Sequence, residues 1–275
     1  MTVELGRYGV WSHYTGWEGR ADAAARLEEL GFGTLWLGGA PDGGVLGLVG
    51  ELLQATDRLV VATGILNVWT TPADVVNAGY RDLAWTDRFL VGVGAGHREQ
   101  AGEVYHSPYR KLVRYLDELD VPRDRLALAA LGPRVLRLAA ARTSVAHPYL
   151  VTPEYTAQAR EVVGAGVVLA PEQHVVLEED PAKAREVARG NLALYLRLEN
   201  YTNNWLRNGF TEDDFRDGGS DRLVDAVVAW GPADRVADRL RAHVAAGADH
   251  VSVQLLGDNK DASPAFKDLA AALSE

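Results

Sequence analysis

Apolar positions along the chain switch repeatedly between two patterns. Short unbroken apolar runs alternate with stretches whose apolar residues recur at helical spacing. The first pattern predicts strands covered on both faces, and the second predicts amphipathic helices lying on them. Residues 8–11 read as a first strand. Ala23, Leu27 and Leu30 then share a helix face from Arg20, and Gly31 closes that helix. Residues 34–37 form an apolar second strand ending at Gly38-Gly39, and a helix over 46–54 follows. The run LVVATGIL, residues 59–66, has no polar alternation and predicts a buried third strand. Pro72 opens a helix to about Trp85, and 89–93 is a fourth strand running into Gly94-Ala95-Gly96.

The second half repeats the pattern. Ser107-Pro108 opens a helix that places Leu112, Tyr115, Leu116 and Leu119 on one face, and 126–130 is the fifth strand. Gly132-Pro133 starts the next helix, 145–151 is the sixth strand, and Thr152-Pro153-Glu154 caps another helix. The seventh strand falls at 167–169 or 175–177, and Asp180-Pro181 opens a long helix behind it. Gly231-Pro232 begins a helix with Val236, Leu240 and Val244 in one stripe, 250–256 is the eighth strand, and 264–273 is a closing helix. Eight strands alternating with helices predict an α/β fold, a single (β/α)8 TIM barrel over residues 1–275. The polar, Asn-rich and Gly-rich stretch at about 195–230 reads as an excursion or lid inserted between strands seven and eight.

Composition then narrows the chemistry. The 275 residues carry 28 basic and 38 acidic side chains, a net charge of −10, which argues against nucleic acid as a partner. With no cysteine there is no disulfide, thiolate zinc site, iron–sulfur cluster or cysteine nucleophile. Residues 1–8 lack a cationic apolar leader pattern and no apolar run has the length of a membrane span, so a cytoplasmic protein without a membrane partner is expected.

A parallel barrel carries its chemistry at the C-terminal ends of the strands. That rim would hold Ser12 and His13, Gly38 and Gly39, Asn67 and Trp69, Gly94 to Gln100, Leu131 and Gly132, Tyr149, and Gln254. It is rich in glycine and aromatic residues, which would let a flat ligand approach the backbone between walls such as Trp11, Trp17 and Trp69. The Gly132-Pro133 helix start would leave the Arg134 and Val135 amides free for a phosphate, or would simply start a helix. His97 and His13 are candidate general acids or bases, or hydrogen-bonded rim histidines; His147 falls mid-strand and reads as core. The histidine spacings fit no metal site. Gly94-Ala95-Gly96 lacks the third glycine of a dinucleotide fingerprint, and no G-x-S-x-G elbow surrounds a serine. The run Glu178-Glu179-Asp180 complements the dipole of the helix it precedes.

Six segments in register carry a family resemblance. LWLGG (35–39), ATGILN (62–67), GVGAGH (92–97), LAALGP (128–133), HPYLVTPE (147–154) and AGADHV (246–251) resemble the luciferase-like flavin and deazaflavin oxidoreductases, as does NYTNN at 200–204. The similarity is greatest to their actinobacterial F420-dependent branch. It implies coenzyme F420 as cofactor, with FMN the alternative, a small-molecule substrate and a homodimer. It also implies a non-proline cis peptide at Gly64-Ile65 behind the cofactor ring, with Gly39 and Gly96 among the cofactor-binding residues. Cofactor phosphate would rest on Leu131, Gly132, Arg134 and Val135, with polar contacts from Asn67 and Gln100. A polyanionic tail would call on Arg98, Arg134 and Arg137.

Departures from the family pattern bear on substrate. Gly39-Ala40 replaces an Asp-His pair, His97 stands where a glutamate is found, and Tyr149 and Thr152 replace the basic grip on a sugar phosphate. The resemblance therefore implies an uncharged substrate, partly aromatic or unsaturated, with His97 as proton donor and His13 second. An FMN-dependent monooxygenase and a catalytically inactive cofactor-binding barrel are the alternative readings.

Overall fold

The computed structural model describes residues 3–40, 42–97, 106–257 and 262–274. Its strands are β1 (Tyr8–His13), β2 (Thr34–Gly38), β3 (Val60–Thr63), β4 (Leu66–Asn67), β5 (Phe89–Gly94), β6 (Leu126–Ala129), β7 (Val145–His147), β8 (Val168–Leu169), β9 (Glu172–Val176), β10 (Val228–Trp230) and β11 (Val251–Leu255). They form one curled parallel sheet in the order β10-β9-β11-β1-β2-β3-β5-β6-β7-β8, with β4 also on β5. Only Ala170 and Pro171 separate β8, at one end of that order, from β9 near the other.

Helices lie between the strands: α1 (Ala21–Glu29), α2 (Val45–Gln54), α3 (Ala73–Asp82), α4 (Pro108–Glu118), α5 (Pro133–Arg142), α6 (Pro153–Val163), α7 (Pro181–Tyr195), α8 (Glu199–Arg207), α9 (Asp221–Val227), α10 (Ala233–Ala245) and α11 (Ser263–Ser274). Three of them begin on a side-chain cap that accepts backbone N–H bonds, from Thr152, Asp180 and Ser220. Among the described residues, no helix is long and apolar enough to cross a membrane.

Strand alternation divides the core in two. Trp36, Val60, Ala62, Leu90, Ala127, Val145 and Ala170 pack inside the curl with Val3 and Leu5, whereas Leu35, Leu37, Val61, Val91 and Leu128 pack beneath helices. With both faces covered, the strands have no solvent side to make polar, which is why they read as unbroken apolar runs.

Three predicted strands are modified. Residues 59–66 are not one strand: the ladder stops at Thr63 and resumes at Leu66, across a cis Gly64-Ile65 peptide. The sixth ends at His147, because Pro148 has no N–H to donate and Leu150 takes a left-handed φ of 55°. Both candidates for the seventh lie at strands, since the chain pairs with β7 through β8 and with β11 through β9. The polar stretch at 195–230 holds α8, α9 and β10, and β10 adds itself to β9 at Val228↔His174. Arg185 grips Asp221 and Asp225 at 2.6 Å each, tying α7 to α9.

Candidate active site

Inward-facing residues at the C-terminal strand ends form two unlike halves. On one side stand glycines. A Cβ on Gly38 would fall 1.9 Å from the Trp11 ring, and one on Gly64 would fall 2.7 Å from Trp11 Nε1. The indole therefore lies against backbone that only glycine leaves open. Ile65 packs beside it, where a Cβ on Gly94 would meet its side chain at 3.0 Å. The Trp11 indole nitrogen is buried and has no hydrogen-bond partner among the described residues.

The other side is a wall of aromatic and polar side chains. Tyr149, just past β7, donates its hydroxyl to Gln254 Oε1 at 2.6 Å and meets the Tyr195 hydroxyl at 3.0 Å. Its ring stands edge-on to Trp11 at 5.4 Å, and Tyr201 of α8 packs on Tyr195 at 5.0 Å. Burial raises the Tyr149 and Tyr201 pKa values well above the ordinary tyrosine range and pushes Tyr195 up to about 12; the neighbouring Glu172 carboxylate adds to all three. These phenols stay protonated at neutral pH and can donate hydrogen bonds.

Below the tyrosines lies a pair that sequence reasoning missed. Glu172 and His174 are both fully buried and face inward from β9. Glu172 Oε1 meets His174 Nδ1 at 2.6 Å, Glu172 Oε2 accepts from the Leu150 N–H at 3.2 Å, and His174 Nε2 meets Asn191 Oδ1 at 2.8 Å. The signal was available in the period-two spacing of two polar residues within Glu172-Gln173-His174-Val175-Val176, which puts both on one strand face.

The predicted site residues divide by position. His97 follows β5 and reaches the tyrosine wall, its ring centre 5.7 Å from that of Tyr201 and 6.5 Å from that of Tyr195. His13 is exposed at the end of β1, bonded through Nδ1 to Thr15 at 2.8 Å and packed where a Gly39 Cβ would stand. Asn67 is buried, and its Oδ1 accepts from the Trp69 N–H at 3.0 Å. Gly96 takes a φ of 53° beside His97. Gln100 and Arg98 lie outside the described residues.

At the α5 start one expectation is corrected. The Val135 N–H donates to the Gly132 carbonyl at 2.9 Å, because the first turn closes tightly, so it is not free for a phosphate as the Gly-Pro pattern predicts. The Leu131 carbonyl accepts from the Tyr155 hydroxyl at 2.5 Å. The Arg207 guanidinium of α8 would lie 3.9 Å from a Gly132 Cβ, and Arg134 stacks on Tyr109 at 3.7 Å. A cation from the insertion thus stands at this helix end. Arg137 is on the same helix, and no group of His, Asp or Glu side chains among the described residues is placed to hold a metal ion.

His147 is core, although it closes β7 and does not lie mid-strand: it stacks on Trp36 at 4.1 Å and 3°, and burial lowers its pKa to about 4. Trp17 lines a cavity together with Trp11, and Trp69 stands apart from both. Trp17 lies ahead of α1, and Trp69 lies beside Lys111 and Tyr115 of α4.

No protein-family model and no curated protein sequence matches the chain. Solved structures do match in fold. An F420-dependent secondary alcohol dehydrogenase in complex with an F420-acetone adduct superposes with a TM-score of 0.73 at 16% identity, over 99% of this chain and 100% of that one. The coenzyme F420-dependent tetrahydromethanopterin reductase from Methanopyrus kandleri gives 0.73 at 15% identity, over 98% and 99%. The oxygenating constituent of 3,6-diketocamphane monooxygenase from Pseudomonas putida, a type II Baeyer-Villiger monooxygenase in complex with FMN, gives 0.66 at 14% identity, over 96% of each chain. The chain has the fold of the luciferase-like flavin- and F420-dependent oxidoreductases.

Proposed function

We propose that this chain is an oxidoreductase that holds coenzyme F420 at the mouth of a (β/α)8 barrel formed by residues 1–275, with 195–230 inserted over that mouth. A hydride would move between the deazaflavin and an uncharged small organic substrate. The observation that carries this reading is the bare backbone of Gly38 and Gly64, on which a flat aromatic ring, that of Trp11, already rests. The residues fit a planar cofactor ring there once Trp11 turns aside. Fold likeness to enzymes described with F420 adds support.

Hydride chemistry would be the cofactor's; orientation, proton supply and exclusion of water belong to the chain. Leu131, Gly132 and Arg134 would hold the phosphate, now with Arg207 beside them, while Gly39, Gly64, Ile65, Asn67, Gly96 and Gln100 would line the ring. His97 would hold the transferred proton, with His13 second. The protonated Tyr149 hydroxyl would steady a substrate oxygen. The buried Glu172 charge disfavours an anionic substrate in the same space, in keeping with a neutral one.

FMN in the same place, giving a monooxygenase, is the second reading, favoured by the FMN-bound Pseudomonas putida protein of the same fold. Titration with F420 followed by deazaflavin fluorescence, then competition with FMN, separates the readings. Saturable quenching that FMN does not reverse supports F420, and preference for FMN supports the monooxygenase. Binding of neither overturns both and leaves an inactive barrel. We also propose a cytoplasmic homodimer with no nucleic-acid partner, for which light scattering reads the mass.

A further inference from the structure

The tyrosine wall carries three phenolic hydrogens, and two of them are committed. Tyr149 gives its hydrogen to Gln254 Oε1 at 2.6 Å, so in the 3.0 Å contact between the two hydroxyls Tyr195 is the donor and Tyr149 the acceptor. The third belongs to Tyr201. That side chain is 6% exposed, and its hydroxyl has no hydrogen-bond partner among the described residues. Its oxygen is nevertheless open, unlike the sealed indole nitrogens of Trp11 and Trp17.

Neighbouring contacts put this hydroxyl at the mouth and not on the outer surface of α8. The Trp205 indole N–H reaches the Leu150 carbonyl at 3.2 Å, and Tyr201 lies one turn before Trp205 on the same buried face of α8. Its ring centre is 5.0 Å from that of Tyr195, 6.3 Å from that of Tyr149 and 5.7 Å from that of His97. Burial, Tyr195 and the Glu172 carboxylate all raise its pKa, which keeps the hydrogen on the oxygen at neutral pH. The mouth therefore holds a buried, protonated donor with no protein group to receive it. Folded proteins rarely leave such a donor unmade.

We propose that Tyr201 is a substrate-binding residue whose hydroxyl donates to the oxygen of a neutral carbonyl compound. In this role Tyr201 needs from the proposed function only that a neutral substrate enters the mouth, and it is indifferent to whether F420 or FMN lies beneath. Tyr149 can turn to a substrate only by giving up Gln254, whereas Tyr201 gives up nothing. A hydrocarbon would leave the Tyr201 donor unmade, and a carboxylate would meet the buried Glu172 charge. Because α8 carries Tyr201, the polar stretch at 195–230 supplies specificity as well as cover.

The test is a titration of the full chain, with and without F420, with cyclohexanone labelled with 13C at the carbonyl. A hydrogen bond to the oxygen draws electron density from the carbon, so the carbonyl resonance should move downfield and saturate. Tyr201→Phe keeps the ring contacts with Tyr195 and Trp205 and removes a hydroxyl that no protein group uses, so its thermal melt should match that of the parent chain. It should weaken cyclohexanone about five- to tenfold and abolish the downfield shift. Cyclohexanecarboxylate should bind at least about tenfold more weakly than the ketone. The proposal is overturned if the ketone gives no saturable shift, if Tyr201→Phe keeps the parent affinity and shift, or if the carboxylate binds better. A chain that takes no F420 but shows the Tyr201-dependent shift keeps Tyr201 in this role and loses the cofactor. A chain that takes F420 and shifts the ketone without Tyr201 keeps the cofactor and loses Tyr201.

Discussion

Tyr149 on the sixth strand's exit and Gln254 on β11 are joined by a 2.6 Å hydrogen bond in which the phenol donates and the amide oxygen accepts. The bond spans the mouth and sets where the Tyr149 ring meets Trp11. Tyr149→Phe keeps that ring contact but leaves Gln254 Oε1 and the Tyr195 hydroxyl each one partner short. Urea unfolding should show a loss of about 1–3 kcal/mol. Gln254→Leu removes the other half, and the two changes together should cost less than their sum by about 0.5 kcal/mol or more. Strict additivity would mean that the bond contributes nothing.

Gly38 and Trp11 give a second prediction. A methyl group on Gly38 would overlap the indole, so Gly38→Ala has to expel the ring or shift the strand, at a cost of about 1–3 kcal/mol. Trp11→Ala removes the ring overlap but leaves the Gly64 carbonyl 2.8 Å from the new methyl, so Gly38→Ala should then cost less than in the parent chain without becoming neutral. Thermal melts of the two singles and the double read this directly. An undiminished penalty in the Trp11→Ala background would place the clash elsewhere.

The sheet is legible in the chain because every strand is covered on both faces and so reads as an apolar run, while caps such as Thr152 and Asp180 mark where helices begin. His147 is legible as core for the same reason. Three features escape that reading. Glu172 and His174 are polar on the inward face of a strand, so a search for apolar runs passes between their neighbours, and their cost is met by a pairing visible only in three dimensions. Tyr195 and Tyr201 reach the mouth only because α7 and α8 fold back over it, a tertiary arrangement set by contacts such as the Trp205 indole N–H to the Leu150 carbonyl at 3.2 Å. Trp11 can be placed at the rim by position, but its rest against Gly38 and Gly64 depends on the strand register.

Arg207 is exposed, yet it stands beside Gly132 at the amide end of α5. Under the proposed function it adds charge to a phosphate held by that helix start, where the Val135 amide is already taken. Arg207→Gln should weaken FMN or F420 binding by about five- to tenfold, with the difference shrinking as salt is raised. Calorimetric titration at two ionic strengths measures both. Equal affinities for the variant and the parent chain would remove Arg207 from the site.

Acid should destabilise the fold through three buried histidines before its carboxylates titrate. Desolvation lowers His147 and His250 to about 4 and His243 to about 3, against a value near 6.5 in the unfolded chain. His250 has a further reason to stay neutral: Trp36 can only donate, so its 3.2 Å bond requires a bare Nε2, while Nδ1–H serves the Gly6 carbonyl at 2.8 Å. Below pH 6.5 the unfolded chain takes up protons that the folded one refuses. The stability these residues contribute is therefore complete above that pH and drains as pH falls toward 4. Each histidine can add up to about 1.4 kcal/mol per pH unit to that slope. Urea unfolding between about pH 7.5 and about pH 5 should show the decline. His243→Gln, which can retain a bond to Gln173 or Thr156 but cannot take up a proton, should flatten it by up to one proton's share. A slope that is the same with and without His243 would mean that this side chain is already charged in the fold, against the desolvated position the structure gives it.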